Sequence, residues 1–239
     1  MESVWARARH DEPGETTKAQ REPGLSREAI IQGAMELLDA EGIDALSMRK
    51  LATRLASGAT SIYWYVESKD QLLELVMDAV YGEVAVPVDG SWRKAAEAFA
   101  AGLRKAVFHH PWLVSLVGAL PAIGPNAMTA SERLVGAFKK AGFEGWSLDY
   151  AVAAITSYAL GAAIPSAAWQ NAHRKQGRSI QETVAQMAPT IHFVSADYPN
   201  LSEMVDRYYG GETDVEQIQQ RSFYFGLNAL LDGLEACLP

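Results

Sequence analysis

Ser47-Met-Arg-Lys-Leu-Ala-Thr-Arg-Leu-Ala-Ser-Gly-Ala-Thr-Ser-Ile-Tyr-Trp-Tyr-Val-Glu-Ser-Lys69 is the stretch whose reading decides the fold. It reads as two short helices joined by the tight turn Ala56-Ser57-Gly58. Ser47 can cap the first helix, which ends near Leu55, and Leu46 can staple onto Leu51. The second helix runs from Ala59 to Tyr65. It carries Thr60, Ser61, Tyr63, Trp64 and Tyr65 where a globular core would want aliphatic side chains. Ile62 and Val66, at helical spacing, face a core. Three consecutive aromatic residues cannot all enter one core, so at least one lies outside it.

The flanks complete a small head. Ser26 caps a helix in front of this stretch. Glu28 suits its positive end, Leu25 can staple onto Ile30, and Ile30, Ala34, Leu37 and Leu38 form its apolar face. Gly42 stops it as a left-handed C-cap. Behind the stretch, Ser68-Lys-Asp-Gln71 is a capping box that opens a helix with Leu72, Leu73, Leu75, Val76 and Val80 apolar. A helix fits the DNA major groove, where base edges can be told apart, provided its outer face is short or hydrogen-bonding. Thr60 and Ser61 meet that need, Ala59 permits close approach, and Trp64 offers a flat apolar contact. Arg49 is the candidate for bidentate contact with guanine; the alternative for it is a surface salt bridge with Asp44. Ser47, Lys50, Tyr63, Tyr65 and Lys69 are candidates for the DNA backbone, together with the helix end capped by Ser68; for the aromatics the alternative is core.

Charge supports a local rather than a general affinity for nucleic acid. The chain has a formal net charge of -8, yet between Ser47 and Lys69 four cations stand against Glu67 alone. Such a patch suits a DNA-contacting face on an acidic body, or an ordinary solvated helix. The single cysteine, Cys237, allows no internal disulfide, and residues 1–25 carry charges throughout without an apolar stretch. The expectation is therefore a cytoplasmic protein. Ala151 to Trp169 is uncharged and approaches a membrane span in length. It is alanine-rich, includes Thr156, Ser157, Tyr158 and Ser166, and is interrupted by Pro165, which favours a helix buried among helices and no membrane partner.

The rest of the chain is helical in pattern, and the fold class is all-α. A flexible arm occupies 1–24, a helix-turn-helix head 25–84 and a regulatory, ligand-binding and dimerisation domain 85–239. After the breaker Pro87-Val-Asp-Gly90, helices are expected from Ser91 to His109, over Trp112–Leu120 as a short piece, and from Asn126 to Ala141. A long one, capped by Ser147, reaches to about His173, and a short one covers Arg178–Met187. Residues 189–212 read as irregular, with one turn near Ser202–Tyr209. Thr213-Asp-Val-Glu216 is a capping box for a final helix to about Cys237. A small-molecule pocket should be mostly apolar with a few polar groups, for which Phe99, Leu103, Trp112, Leu116, Asn126, Phe138, Tyr158 and Trp169 are candidates; plain core is their alternative. Apolar residues on more than one side of the last helix (Phe223, Leu227, Leu230, Leu231, Leu234) and small residues on the long one (Ala151, Ala154, Ala162) suggest a four-helix interface with a second copy, or burial within one chain. No histidine has metal-ligand spacing with a second ligand, and there is no phosphate loop or nucleophile elbow. An enzyme is accordingly not expected, nor a cofactor or metal. A DNA-binding activator without a ligand is the competing function, although DNA binding alone does not need so long a C-terminal part.

Several of these residues carry a resemblance. Leu51-Ala52, the turn, Ile62-Tyr63-Trp64-Tyr65-Val66 and Ser68-Lys69-Asp70-x-Leu72-Leu73 resemble the DNA-binding head of the tetracycline-repressor (TetR) family. His110-Pro111-Trp112, Gly124-Pro125-Asn126, Leu160-Gly161, Phe223-x-Phe225-Gly226-Leu227 and Gly233-Leu234-Glu235 resemble its regulatory domain in the expected order, so the likeness covers about residues 25–238. It implies an all-helical homodimer that represses by occupying a double-stranded palindromic operator and leaves it when an inducer shifts the two heads apart. By position it implies base reading by Arg49, Thr60, Ser61 and Trp64, and backbone contact by Tyr63, Tyr65 and Lys69. The family often has glycine where Ala56 stands and histidine where Tyr65 stands. Ser115 to Gly118 offers no histidine for the drug-bound magnesium of the tetracycline repressor, and Pro165 falls where an acidic residue would help. Tetracycline and a metal are therefore not expected, and the aromatic residues among the pocket candidates suggest an apolar or aromatic inducer.

Overall fold

The computed structural model describes residues 3–7, 25–175, 177, 179–209 and 214–238. Among these, helices α1 to α11 and two 3-10 turns, Ile43–Ala45 and Pro111–Ser115, form the regular structure and no strand occurs. They are α1 (Val4–Arg7), α2 (Arg27–Glu41), α3 (Met48–Arg54), α4 (Ala59–Tyr63), α5 (Lys69–Tyr81), α6 (Trp92–His109), α7 (Pro125–Ala141), α8 (Gly145–Lys175), α9 (Ile180–Ser195), α10 (Pro199–Tyr209) and α11 (Val215–Glu235). Two compact units result, Met1–Leu160 with Leu238–Pro239, and Gly161–Cys237.

Serine caps fix the starts of the head's helices. Ser26 accepts from Ala29 N, Ser47 from Lys50 N and Ser68 from Gln71 N, each at 3.1–3.2 Å. The return arm of the expected capping box is displaced by one residue: Gln71 Oε1 accepts from Glu67 N at 3.1 Å, not from Ser68 N. Gly42 takes φ 84° with ψ 176°, so it ends α2 with a positive φ but outside the left-handed helical well. Ile30, Leu37, Leu38, Leu51, Ile62, Val66, Leu72 and Val76 close the head core, all nearly or fully inaccessible.

The bend between α3 and α4 is a Schellman motif. Ser57 N donates to Ala52 O and Ala56 N to Thr53 O, at 3.0 and 3.2 Å. That pattern requires a left-handed residue at the second position, and Ala56 supplies it with φ 49°.

Two ties join the head to α6 and α7 within the first unit. Asp78 of α5, nearly inaccessible, accepts from Ala127 N at 2.9 Å and Asn126 N at 3.2 Å. It thereby caps the start of α7, where Gly124 and Pro125 supply no side-chain cap. Gly124 is required by this approach, since a Cβ there would lie 2.3 Å from Asp78 Cγ. The second tie is His110, whose ring meets Asp39 of α2 and Glu83 beyond α5. On the other side of α6 and α7, Trp92, Phe138 and Phe143 form an aromatic cluster with centroids 5.1–5.4 Å apart.

Some elements differ from the sequence pattern. Val4–Arg7 of the expected arm is a helical turn whose start is held by buried Glu74, which accepts from Ser3 Oγ at 2.5 Å and Val4 N at 3.2 Å; the remainder of the arm, 8–24, lies outside the described residues. Ser147 is not a cap. α8 begins two residues earlier, and Ser147 Oγ turns back to Glu144, donating to its carbonyl at 2.6 Å. Residues 189–209 are not irregular: α9, opened by a Ser179–Glu182 capping box, runs through Pro189 to Ser195, and α10 follows. Leu201, Met204, Val205 and Tyr208 give α10 an i, i+3, i+4, i+7 stripe, outweighing the polar residues between them. Thr213 lies outside the described residues, and Asp214 caps α11 by accepting from Gln217 N at 3.1 Å. α8 is long and apolar enough to cross a membrane by length and composition. Its buried residues, Ala151, Ile155, Ala159, Ala163 and Ala167, form one stripe at four-residue spacing, as in a helix packed on one side against protein.

Candidate nucleic-acid interface and candidate ligand cavity

The outer face of α3, its turn and α4 gathers the residues singled out for DNA. Ile62 and Val66 anchor α4 and its C-terminal extension in the core. Their opposite side therefore faces solvent, where Thr60 is exposed, Ser61 half-buried, Tyr63 48% and Trp64 70% exposed. Trp64, the residue that follows α4, is so exposed that burial gains the fold little from it, and its apolar plane is available to a partner. Arg49, in the first turn of α3, is exposed and forms no ion pair with Asp44 or any other described residue. Thr53 Oγ1 donates to Arg49 O at 3.0 Å, which bonds the intervening turn.

The flanking cations divide. Lys50 is paired with Glu41, and Arg54 with Glu36 at 2.8 Å. The Arg54 guanidinium, followed by Gln32, holds the Glu36 carboxyl below the usual range. Both pairs are exposed, so they are weak enough to exchange for phosphate. Lys69 sits half-buried in the first turn of α5. Ser47 and Ser68 are occupied as caps. The Tyr65 hydroxyl donates to Leu25 O at 2.9 Å, fastening the chain ahead of α2 to the end of the recognition segment. A bond from residue 65 to residue 25 has no local sequence signal.

The expected pocket residues fall in different settings. Phe99, Leu103, Trp112, Leu116 and Phe138 are buried core, the alternative weighed for each. Trp112 Nε1 donates to Asp39 at 2.6 Å, and Asn126 is exposed with its amide on Asp78 O at 3.1 Å. Tyr158 is half-buried on α8. Trp169 lines a cavity of about 220 Å³ within the Gly161–Cys237 unit. The remaining walls are Val184 of α9, Tyr208 and Tyr209 of α10, and Val215, Ile218 and Gln219 of α11. No charged side chain lines it, and its polar groups are two phenols, an indole and an amide. Sequence reasoning misses this site because α10, which supplies Tyr208 and Tyr209, lies in the segment expected to be irregular; the α10 stripe is the available signal.

The expected dimer residues also separate. Ala151, Phe223, Leu227 and Leu231 are buried within the single chain, the last three forming a four-spaced stripe that leaves no area for a partner. Ala154, Ala162, Leu230 and Leu234 are half-buried. Aromatic surface lies elsewhere: Phe225 is 79% exposed, and Trp146 and Tyr150 stack in the open at the start of α8.

An all-helical chain with a capped helix-turn-helix whose second helix presents Thr60, Tyr63 and Trp64 outward defines a DNA-binding regulator. The family described as "Bacterial regulatory proteins, tetR family" matches residues 30–76, and "Tetracyclin repressor-like, C-terminal domain" matches residues 86–238. The chain belongs to the TetR family of transcriptional regulators. An HTH-type transcriptional regulator of Saccharopolyspora erythraea is 39% identical over 187 residues, 77% of each chain. The HTH-type transcriptional repressor DrrR1 of Streptomyces coeruleorubidus is 32% identical over 98% of this chain and 84% of its own. Among solved structures, Streptomyces coelicolor ActR in complex with actinorhodin has a TM-score of 0.74 at 28% identity, covering 91% of this chain and 98% of that one. These relatives are transcriptional regulators and repressors, and no enzymatic family is indicated.

Proposed function

We propose that this chain is a cytoplasmic repressor that occupies a palindromic operator as a homodimer and leaves it when a neutral aromatic molecule enters the cavity beside Trp169. The observation that carries the DNA half is the exposure of Trp64 and Arg49 on a helix pair whose other side is fully buried. Arg49, Thr60, Ser61 and Trp64 read bases. Ser47, Lys50, Tyr63 and Lys69 contact the backbone, with Tyr65 acting through its bond to Leu25. The head at 25–84 is the reading module and 85–239 the regulatory one.

The ligand half rests on the cavity's chemistry. Apolar and aromatic walls with phenol and amide groups, and no charge to compensate, suit a planar uncharged ligand carrying hydroxyl or carbonyl groups. ActR, a solved neighbour, forms a complex with actinorhodin, which supports a small-molecule ligand for the regulatory domain. The dimer is supported by the exposed aromatics Trp146, Tyr150 and Phe225 and by the half-buried small residues of α8, whose uncovered sides meet a second copy rather than lipid. Two heads one helical turn apart, about 34–36 Å, read an inverted repeat.

The test screens neutral aromatic compounds for release of a duplex selected by the protein from a random library. Ile218→Trp, which fills the cavity, should abolish release while leaving duplex binding intact. Release that is unchanged in this variant would place the ligand elsewhere, and a single 26.0 kDa species at micromolar concentration would refute the homodimer.

A further inference from the structure

His110 follows α6 and starts the 3-10 turn Pro111–Ser115. Its imidazole is 9% exposed and has a carboxylate at each nitrogen, Asp39 Oδ1 2.7 Å from Nδ1 and Glu83 Oε1 3.2 Å from Nε2. Asp39 lies near the end of α2, and Glu83 two residues beyond the end of α5. One ring thus ties the two longest helices of the head to the first helix of the body. The charged and titratable groups facing it are Asp39 from α2, Glu83 from the segment after α5, and His109 from α6, whose ring lies 6.3 Å away edge-on.

This geometry selects a protonation state. Ionised carboxylates only accept hydrogen bonds, and a neutral imidazole has one donor. Both contacts can be hydrogen bonds only with the imidazolium. Asp39 Oδ1 is also fixed by the Trp112 indole N–H at 2.6 Å. A ring that loses its proton therefore keeps its N–H on Asp39 and turns a bare lone pair toward the more exposed Glu83. The contact that opens is the one to the end of α5, the helix whose Ser68-capped start follows the recognition segment.

We propose that His110 is a positioning residue for DNA binding, whose protonated ring locks α5 to the body and so presets the orientation of the head. Locking α5 before the encounter removes part of the ordering cost of binding. Burial alone would lower the His110 pKa, but the hydrogen bonds and charges of Asp39 and Glu83 outweigh it and hold the value above the ordinary one. The switch accordingly operates around neutrality and above. It rests on DNA binding by the head and holds whether or not the cavity takes a ligand.

The experiment measures affinity for a duplex selected from a random library by the wild-type protein, by fluorescence anisotropy between pH 6 and 8.5 at fixed ionic strength. Wild-type affinity should fall with rising pH by roughly fivefold or more, the scale of a typical coupling between sites. His110→Gln should give a flat profile. Glu83→Gln is the sharper variant, because its amide can donate to the bare Nε2 of neutral His110. It should hold the tight, low-pH affinity across the whole range, which loss of a merely structural contact would not produce. Glu83 is exposed, so this variant decides the matter even where His110→Gln fails to fold. A wild-type profile that is flat or rises with pH, or a Glu83→Gln profile that keeps the wild-type slope, overturns the proposal.

Discussion

Replacing Asp78 should cost more stability than any exposed charge in the head. Its carboxylate is 4% exposed and accepts two backbone N–H groups from the first turn of α7, at 2.9 and 3.2 Å. Each is a charge-assisted bond, worth about 1.5–3 kcal/mol net when buried. They share one carboxylate and will not add fully, so Asp78→Ala should lose about 3 kcal/mol. Against the roughly 5–15 kcal/mol of a typical domain this is a large fraction. Asp78→Asn keeps one acceptor but turns an N–H toward a donor, and should lose about 1–2 kcal/mol. Urea unfolding followed by circular dichroism measures both. A loss under about 1 kcal/mol for the alanine variant, with an unchanged dependence on urea, would refute the reasoning that Asp78 caps α7 from another helix.

Ala56 sits at φ 49°, where a Cβ costs about 1–2 kcal/mol. After the greater unfolded-state entropy of glycine, Ala56→Gly should stabilise by about 0.5–1 kcal/mol in the same unfolding assay. Arg49→Ala should lose about 1–3 kcal/mol of discrimination between the selected duplex and random DNA; equal discrimination would remove Arg49 from base reading. Lys69→Ala should weaken binding to all duplexes and lower the slope against salt by about one ion. Because the His110 pKa is raised by folding, its stabilisation is complete below the unfolded value and is lost as pH rises through the folded one. Stability to urea should therefore decline on the alkaline side of neutrality in the wild type and not in His110→Gln.

What could be read from the sequence was what local physics decides. The caps at Ser26, Ser47 and Ser68 act over three residues, and the paired Ile62 and Val66 fix which side of α4 is core, so the head and its outward residues followed from short windows. The ties at Asp78, His110 and Tyr65 span 27 to 71 residues. No window contains both partners, and each side chain reads locally as an ordinary polar residue. The ligand cavity failed to emerge for a different reason: Pro189 and Pro199 argue against helix in any local window, yet one sits inside α9 and the other opens α10. The last helix showed apolar residues on several sides, but only three-dimensional packing distinguishes Phe223, Leu227 and Leu231, which the chain buries, from Phe225, which it leaves outside.

Selection of bound duplexes from a random library tests the central claim most directly. A homodimer of heads presenting Arg49, Thr60, Ser61 and Trp64 should enrich an inverted repeat whose half-site centres lie about one helical turn apart, and Arg49→Ala should relax the preference at one position in each half. Enrichment of no sequence, or of a motif without two-fold symmetry, would contradict it.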